Sequence, residues 1–155
     1  MEKNHFIFNK DNVISKEESL KIKEYFQNKE SQTYYYPLNI TNTFLQELQK
    51  HVNSYLVGLG EGRIFGFELS KYFYVQSIKN NNFNFNEYRD EKLITNRVFN
   101  YILFLDKGEI NFINLNHTEY VSANSLLIFP EEYTHNFEFT NSENIVILNG
   151  HLNFI

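Results

Sequence analysis

The chain has 155 residues, 42% of them apolar and 17% aromatic, with a net charge of −5 and no cysteine. That length suffices for one core without covalent staples. The missing cysteines exclude disulfides, a thiolate zinc site and a cysteine nucleophile, and the acidic balance without a Lys/Arg-rich run disfavours nucleic acid and anionic membrane as partners.

The opening "MEKNHFIFNKDN" is polar throughout and has no apolar signal core. No run approaches the ~18 apolar residues that span a bilayer, so the expectation is a soluble cytoplasmic protein. "SKEE", Ser15 to Glu18, has the spacing of a capping box: the hydroxyl accepts from the third helical amide. In the helix it opens, Ile22, Tyr25 and Phe26 share a face. Pro37 interrupts. Leu45, Leu48, Val52, Tyr55 and Leu59 then step by three and four, which predicts a helix over about 43–59 with that face on the core and Gln46, Glu47 and Lys50 wet. His51 sits beside the stripe and reads as a surface or edge residue. Gly58, Gly60 and Gly62 lie where the helix stops. "GLGEG" follows a helix and lacks Lys-Ser/Thr, so it is no phosphate loop, and "TYYYP" reads as a packing element or lid.

After Gly62 the apolar period changes to two. "RIFGFEL", "KYFYVQSI", "VFNYILFL", "EINFINL", "SLLIF", "HNFEF" and "NIVILNGHLNFI" read as strands, separated by "KNNN", "DKG", "NH" and "TNSEN" as turns. "DKG" places Gly108 where a hairpin takes a left-handed residue. Helices first and about seven short antiparallel strands after them predict a mostly β protein with N-terminal helices, of jelly-roll type. It reads as a single domain, 1–155, with a helical layer over 1–62 and a jelly-roll core over 63–155. Leu103, Leu105, Phe112, Leu127, Phe129, Val146 and Leu148 are expected in the core.

The five histidines include no HxH, HxxxH or HExxH. His117 falls in a turn, and His151 in the last strand could face either way. His135 stands out: it follows a proline-bounded acidic turn and is expected to begin a strand at the rim, on the same inward face as Phe137 and Phe139. The polar cluster Glu87, Tyr88, Arg89 and Asp90 precedes the central strand, where a jelly roll can bring it near His135. His135 with Asp90 or Glu87 could then hold a divalent ion. The bland alternatives are a hydrogen-bonded histidine and a solvated loop.

The order of these elements resembles the small 2-oxoglutarate/Fe(II)-dependent oxygenases of the prolyl-hydroxylase type. "VISKEESLKIKEYF" resembles their opening helix. "NRVFNYILFLDKGEINF" resembles their central strand pair at Arg97, Leu105, Gly108, Glu109 and Phe112, and "VSANSLLIFPEEYTHNF" their "FP…H" at Phe129, Pro130 and His135. The stretch from Asn124 to His135 is also similar to the second cupin motif, with Asn124 and Glu132 where that motif has glycines. Both resemblances imply a double-stranded β-helix. The first implies Fe(II) and 2-oxoglutarate as cofactors, with His135 as the distal metal histidine. The family's His-x-Asp/Glu pair would fall between Asn82 and Asp90, where Asn84-x-Asn86, Asn86-x-Tyr88 and Tyr88-x-Asp90 stand instead. Its late-strand cosubstrate anchor has no Lys or Arg to match after Lys107, and Asn144 is nearest to that place. Tyr88, Arg97, Tyr101 and Asn144 are the expected ligand contacts. Two functions follow: a divergent oxygenase acting on a peptide or small molecule, or a non-enzymatic cupin-like module that binds one without metal. Either reading admits a homodimer.

Overall fold

The computed structural model describes residues 6–26, 32–35, 39–58, 67–70, 72–78, 97–135, 137–140 and 143–154, with 32–35, 67, 72, 97, 134, 135 and 154 described by backbone only. In chain order the elements are β1 (Phe8–Lys10), α1 (Lys16–Phe26), β2 (Gln32–Tyr35), α2 (Asn42–Gly58), β3 (Phe67–Leu69), β4 (Tyr72–Ile78), β5 (Arg97–Phe104), β6 (Gly108–Phe112), β7 (His117–Val121), β8 (Ser125–Pro130), β9 (Phe137–Phe139) and β10 (Ile145–Phe154). A large sheet runs β1-β8-β5-β10-β4-β2, with β3 also on β10, and a small sheet runs β7-β6-β9. All these pairs are antiparallel. This is a jelly roll of the double-stranded β-helix type with helices on one face. Three strands escaped the sequence reading, namely β1, β2 and β7, and two of those belong to the first 62 residues. No helix among the described residues is long and apolar enough to cross a membrane.

Alternation along the central strands sorts side chains into two cores. Phe99, Tyr101, Leu103 and Leu105 of the β5 run, with Leu148 and Leu152 of β10, face α1 and α2 and pack on Ile22, Phe26, Phe44, Leu48, Val52 and Tyr55. Ile102 and Phe104, with Ile145, Ile147, Leu127 and Phe129, face the small sheet and meet Ile110, Phe112, Val121 and Phe139. The expected core residues are buried, except that Val146 is half-buried.

Ser15 does cap α1, its Oγ accepting from the Glu18 amide at 3.1 Å. The buried face of that helix is Ser19, Ile22 and Phe26, and Tyr25 lies outside it, 42% exposed. The α2 stripe is Phe44, Leu48, His51, Val52, Tyr55 and Leu56. It is turned toward Phe44 and His51, so Leu45 is half-buried and His51, expected at the surface, is buried. The cause is β1, which the sequence did not announce: the Phe8 ring lies 5.9 Å from His51 and 6.1 Å from Tyr55. The Tyr55 hydroxyl also donates to the Phe6 carbonyl at 2.8 Å.

Gly108 is not left-handed. It is needed for space, since a Cβ there would stand 2.9 Å from Phe104 and 3.1 Å from Ile145. The left-handed residues are Phe6, Asn12, Asn116 and Asn124, at φ 57°, 55°, 50° and 68°. Asparagine tolerates that region better than other non-glycine residues. Gly150 faces Tyr101 across the β10–β5 ladder, and a Cβ on it would sit 2.5 Å from the Tyr101 hydroxyl. Tyr101 is fully buried there, 6.2 Å from Phe44. It is therefore a packing residue of the helix-facing core.

Gly150→Ala should destabilise by about 1–3 kcal/mol, the usual penalty for overpacking a filled core. Combined with Tyr101→Leu it should cost less than the two changes summed, because the two side chains share one space. Urea unfolding of the four proteins in the cycle checks this. His51 has its pKa held below the ordinary 6.5, first by burial, with Lys50 and Lys10 adding to this and Glu47 opposing it. The unfolded chain then binds the proton more readily, so this contribution to stability is intact above about pH 6.5 and is lost as the pH falls below it. Melting from pH 7.5 to 5 should show that loss, and His51→Gln should reduce it.

Candidate functional site

The strand registers define two ends of the jelly roll. At one end β5 begins opposite the ends of β8 and β10, and β6 ends opposite the start of β9. The 3₁₀ turn Glu131–His135, between β8 and β9, lies at that end. His135 is thus the last residue of a 3₁₀ turn and does not begin a strand, so two-residue alternation from Phe137 does not fix its direction. Its side chain lies outside the described residues, as do all of Glu87, Tyr88 and Asp90 and the side chain of Arg97. The backbone of Arg97 opens β5, paired with Asn153.

Asn144 is exposed, outside the sheets and at the opposite end. There it borders a groove of about 700 Å³ with Asp106, Lys107, Glu109, Tyr120, Thr140 and Glu143. The inward positions that follow it on β10 are Ile145 and Ile147, both buried among apolar neighbours. Asn144 therefore cannot reach between the sheets, and the start of β10 offers no polar group in its stead.

Farther along β10 the inward row changes character. Asn149 and His151 are buried, and so are Asn100 on β5 and Gln76 on β4. Placing amides and an imidazole between two apolar sheets is unfavourable unless their hydrogen bonds close. Here His151 Nδ1 meets Asn100 Oδ1 at 2.8 Å, and Gln76 Nε2 donates to Asn149 Oδ1 at 3.4 Å. Asn100 Nδ2 donates to Glu131 Oε2, which joins the row to the turn that carries His135. Next to that turn a cavity of about 190 Å³ is lined by Phe112, Asn114, Leu115, Glu132 and Tyr133. The Tyr133 ring lies 5.8 Å from Phe112, and burial, then the Glu132 carboxylate, raise its pKa, keeping the phenol neutral. Phe137 stacks on Phe112 at 6.0 Å.

The described inward faces therefore form an apolar inter-sheet core with a row of amides and an imidazole at one end. Sequence reasoning missed Gln76, Asn100, Asn149 and Glu131. Their signal was present as single polar residues interrupting otherwise apolar strand faces. His117, expected in an exposed turn, is half-buried and 2.7 Å from Glu119.

A non-haem iron of the two-histidine, one-carboxylate type needs those donors together, and a dicarboxylate cosubstrate needs a cation. No cluster of three His, Asp or Glu exists among the described residues. The segment 79–96, between β4 and β5, contains no histidine, and no Lys or Arg follows Lys107. The inward start of β10 is isoleucine. The donors among the described residues do not fit iron with 2-oxoglutarate.

No family model and no curated protein sequence matches the chain. Solved structures do match. A viral collagen prolyl hydroxylase from Paramecium bursaria Chlorella virus-1, in its 2-oxoglutarate complex, is similar with a TM-score of 0.64 at 11% identity, covering 97% of this chain and 96% of that one. A Pseudomonas putida prolyl-4-hydroxylase is similar with a TM-score of 0.55 at 12% identity, covering 98% and 94%. HygX from Streptomyces hygroscopicus, with iron bound, is similar with a TM-score of 0.56 at 7% identity, covering 95% and 81%. The chain has the fold of these proteins.

Asn100→Leu should destabilise by about 1–3 kcal/mol, since it strands a buried imidazole and a carboxylate without their partner. Denaturant midpoints of the variant and the parent check this, with no change as the contrary result.

Proposed function

We propose that this chain is a divergent 2-oxoglutarate/Fe(II) oxygenase-like protein whose inter-sheet space binds a small molecule or peptide and in which the iron chemistry has lapsed. The observation that carries the reading is the inward row of β10, Ile145, Ile147, Asn149 and His151. It offers apolar surface and then amide and imidazole hydrogen-bonding groups, and no Lys or Arg. An apolar pocket with a few placed polar groups suits a ligand recognised by shape and hydrogen bonds. A dicarboxylate there would have to shed its water with no opposite charge to compensate.

The fold likeness to iron-bound and 2-oxoglutarate-bound proteins favours a second reading, with the chemistry retained. His135 with Asp90 or Glu87 would then supply the metal donors, and Arg97 the anchor for the cosubstrate. Tyr88 would contact the ligand in either case.

The two readings separate in one experiment on the full chain. Metal content is measured after purification without chelator, and Fe(II) and 2-oxoglutarate are titrated by calorimetry under anaerobic conditions. The expected result is no stoichiometric metal and no saturable 2-oxoglutarate binding. One iron per chain, lost in His135→Ala together with cosubstrate binding, would establish the second reading.

A further inference from the structure

The hydrogen bonds of Glu131, Asn100 and His151 fix where the protons lie. A carboxylate only accepts, so the Asn100 atom facing Glu131 Oε2 is the amide nitrogen. The amide oxygen is thereby turned to His151, 2.8 Å from Nδ1. A carbonyl oxygen also only accepts, so Nδ1 bears a proton, and in the neutral ring Nε2 carries the lone pair. Imidazole and amide are both buried, His151 at 0% and Asn100 at 1% exposure, so bulk water offers neither a substitute partner. The three residues come from different elements: the turn after β8, the strand β5 and the strand β10.

We infer that Glu131 and Asn100 are positioning residues that hold His151 in its Nδ1–H form. The carboxylate sets the amide and the amide sets the ring, so the charge of a residue on the turn is read out as the tautomer of a histidine between the sheets. In the neutral ring, whatever group meets Nε2 must then bring an N–H, an O–H or a cation. On the reading that this space binds a ligand, the ligand class at that nitrogen is a hydrogen-bond donor such as an amide or alcohol, and a carboxylate is disfavoured.

The test is the ring-nitrogen signature of His151 in two-bond proton–nitrogen correlation spectra of the ¹⁵N-labelled full chain at pH 7.5. The parent should show a protonated Nδ1 and an unprotonated Nε2. In Glu131→Gln the new amide both donates and accepts, so Asn100 is free to turn and the ring should become a mixture of tautomers. If that variant does not fold, Glu131→Ala, which removes the acceptor, is read in the same way. Asn100→Asp, which points a carboxylate at Nδ1–H, should raise the His151 pKa by about 1–3 units. An Nε2–H ring in the parent overturns the inference. So does an unchanged Nδ1–H ring without the Glu131 carboxylate, or an unshifted pKa in Asn100→Asp. None of these readouts requires a ligand, so their failure is distinct from a failure of the metal and cosubstrate titrations.

Discussion

Polar groups sealed between two apolar sheets must find partners inside the protein, and most of what distinguishes this site follows from that constraint. Asn100, Asn149, His151 and Gln76 are buried on the inward face of the large sheet. In water each would be solvated; between the sheets, amide and imidazole must meet each other. Their contacts cross from β4 to β10 and from β10 to β5, and reach the 3₁₀ turn through Glu131. The row therefore ties three strands and the turn at one end of the jelly roll, where apolar packing alone would leave alternative arrangements.

Register decides which chemistry faces inward. On β10 the odd-numbered residues from Ile145 to His151 face the small sheet, and the even-numbered ones face the helices. Shifting the strand by one residue would exchange the two sets. Gly150 opposite Tyr101 resists such a shift, because the tyrosine ring occupies the space a side chain would need. The helix-facing core thus helps to hold the inward row in place. N-terminal β1 contributes by pairing with β8 and setting Phe8 against α2, while Asn9 donates to Glu119 Oε2 at 2.6 Å on the small sheet.

The strands from β3 to β10, apart from β7, were legible because their apolar alternation is strong, and Ser15 announced α1 through local capping chemistry. β1 and β2 were not legible: three or four residues give no period, and their pairing with β8 and β4 joins segments far apart in sequence. β7 hid because "HTEYV" is mostly polar, as suits a strand whose residues are only partly covered. His51 was misplaced because its burial depends on Phe8, and only the folded chain brings them together. Gly108 was correctly marked as special but for the wrong reason, since crowding by Phe104 and Ile145 is invisible in a linear pattern. That no Lys or Arg follows Lys107 is read directly from the chain, and the inward start of β10 is isoleucine. Asn144 borders the groove at the far end and Tyr101 lies in the helix-facing core, because proximity in sequence does not fix which face or end a side chain takes. His135 was placed on a strand from its neighbours, whereas the acidic turn continues through it as a 3₁₀ turn.

The likeness to prolyl hydroxylases and HygX is one of fold, and a fold can host unrelated sites. On the proposed reading, recognition at the inward face rests on hydrogen bonding by amide and imidazole groups and not on a metal and a cation. The measurement that tests this most directly is paramagnetic broadening by Mn(II), a probe of divalent-metal binding, followed through the side-chain amide signals of Asn100 and Asn149 and the methyl signals of Ile147, with 2-oxoglutarate added afterwards. The expected result is that these inter-sheet signals neither broaden nor shift more than those of the surface. Selective broadening of the Asn100 and Asn149 amides at equimolar Mn(II), with a saturable Ile147 shift on adding 2-oxoglutarate, would contradict it.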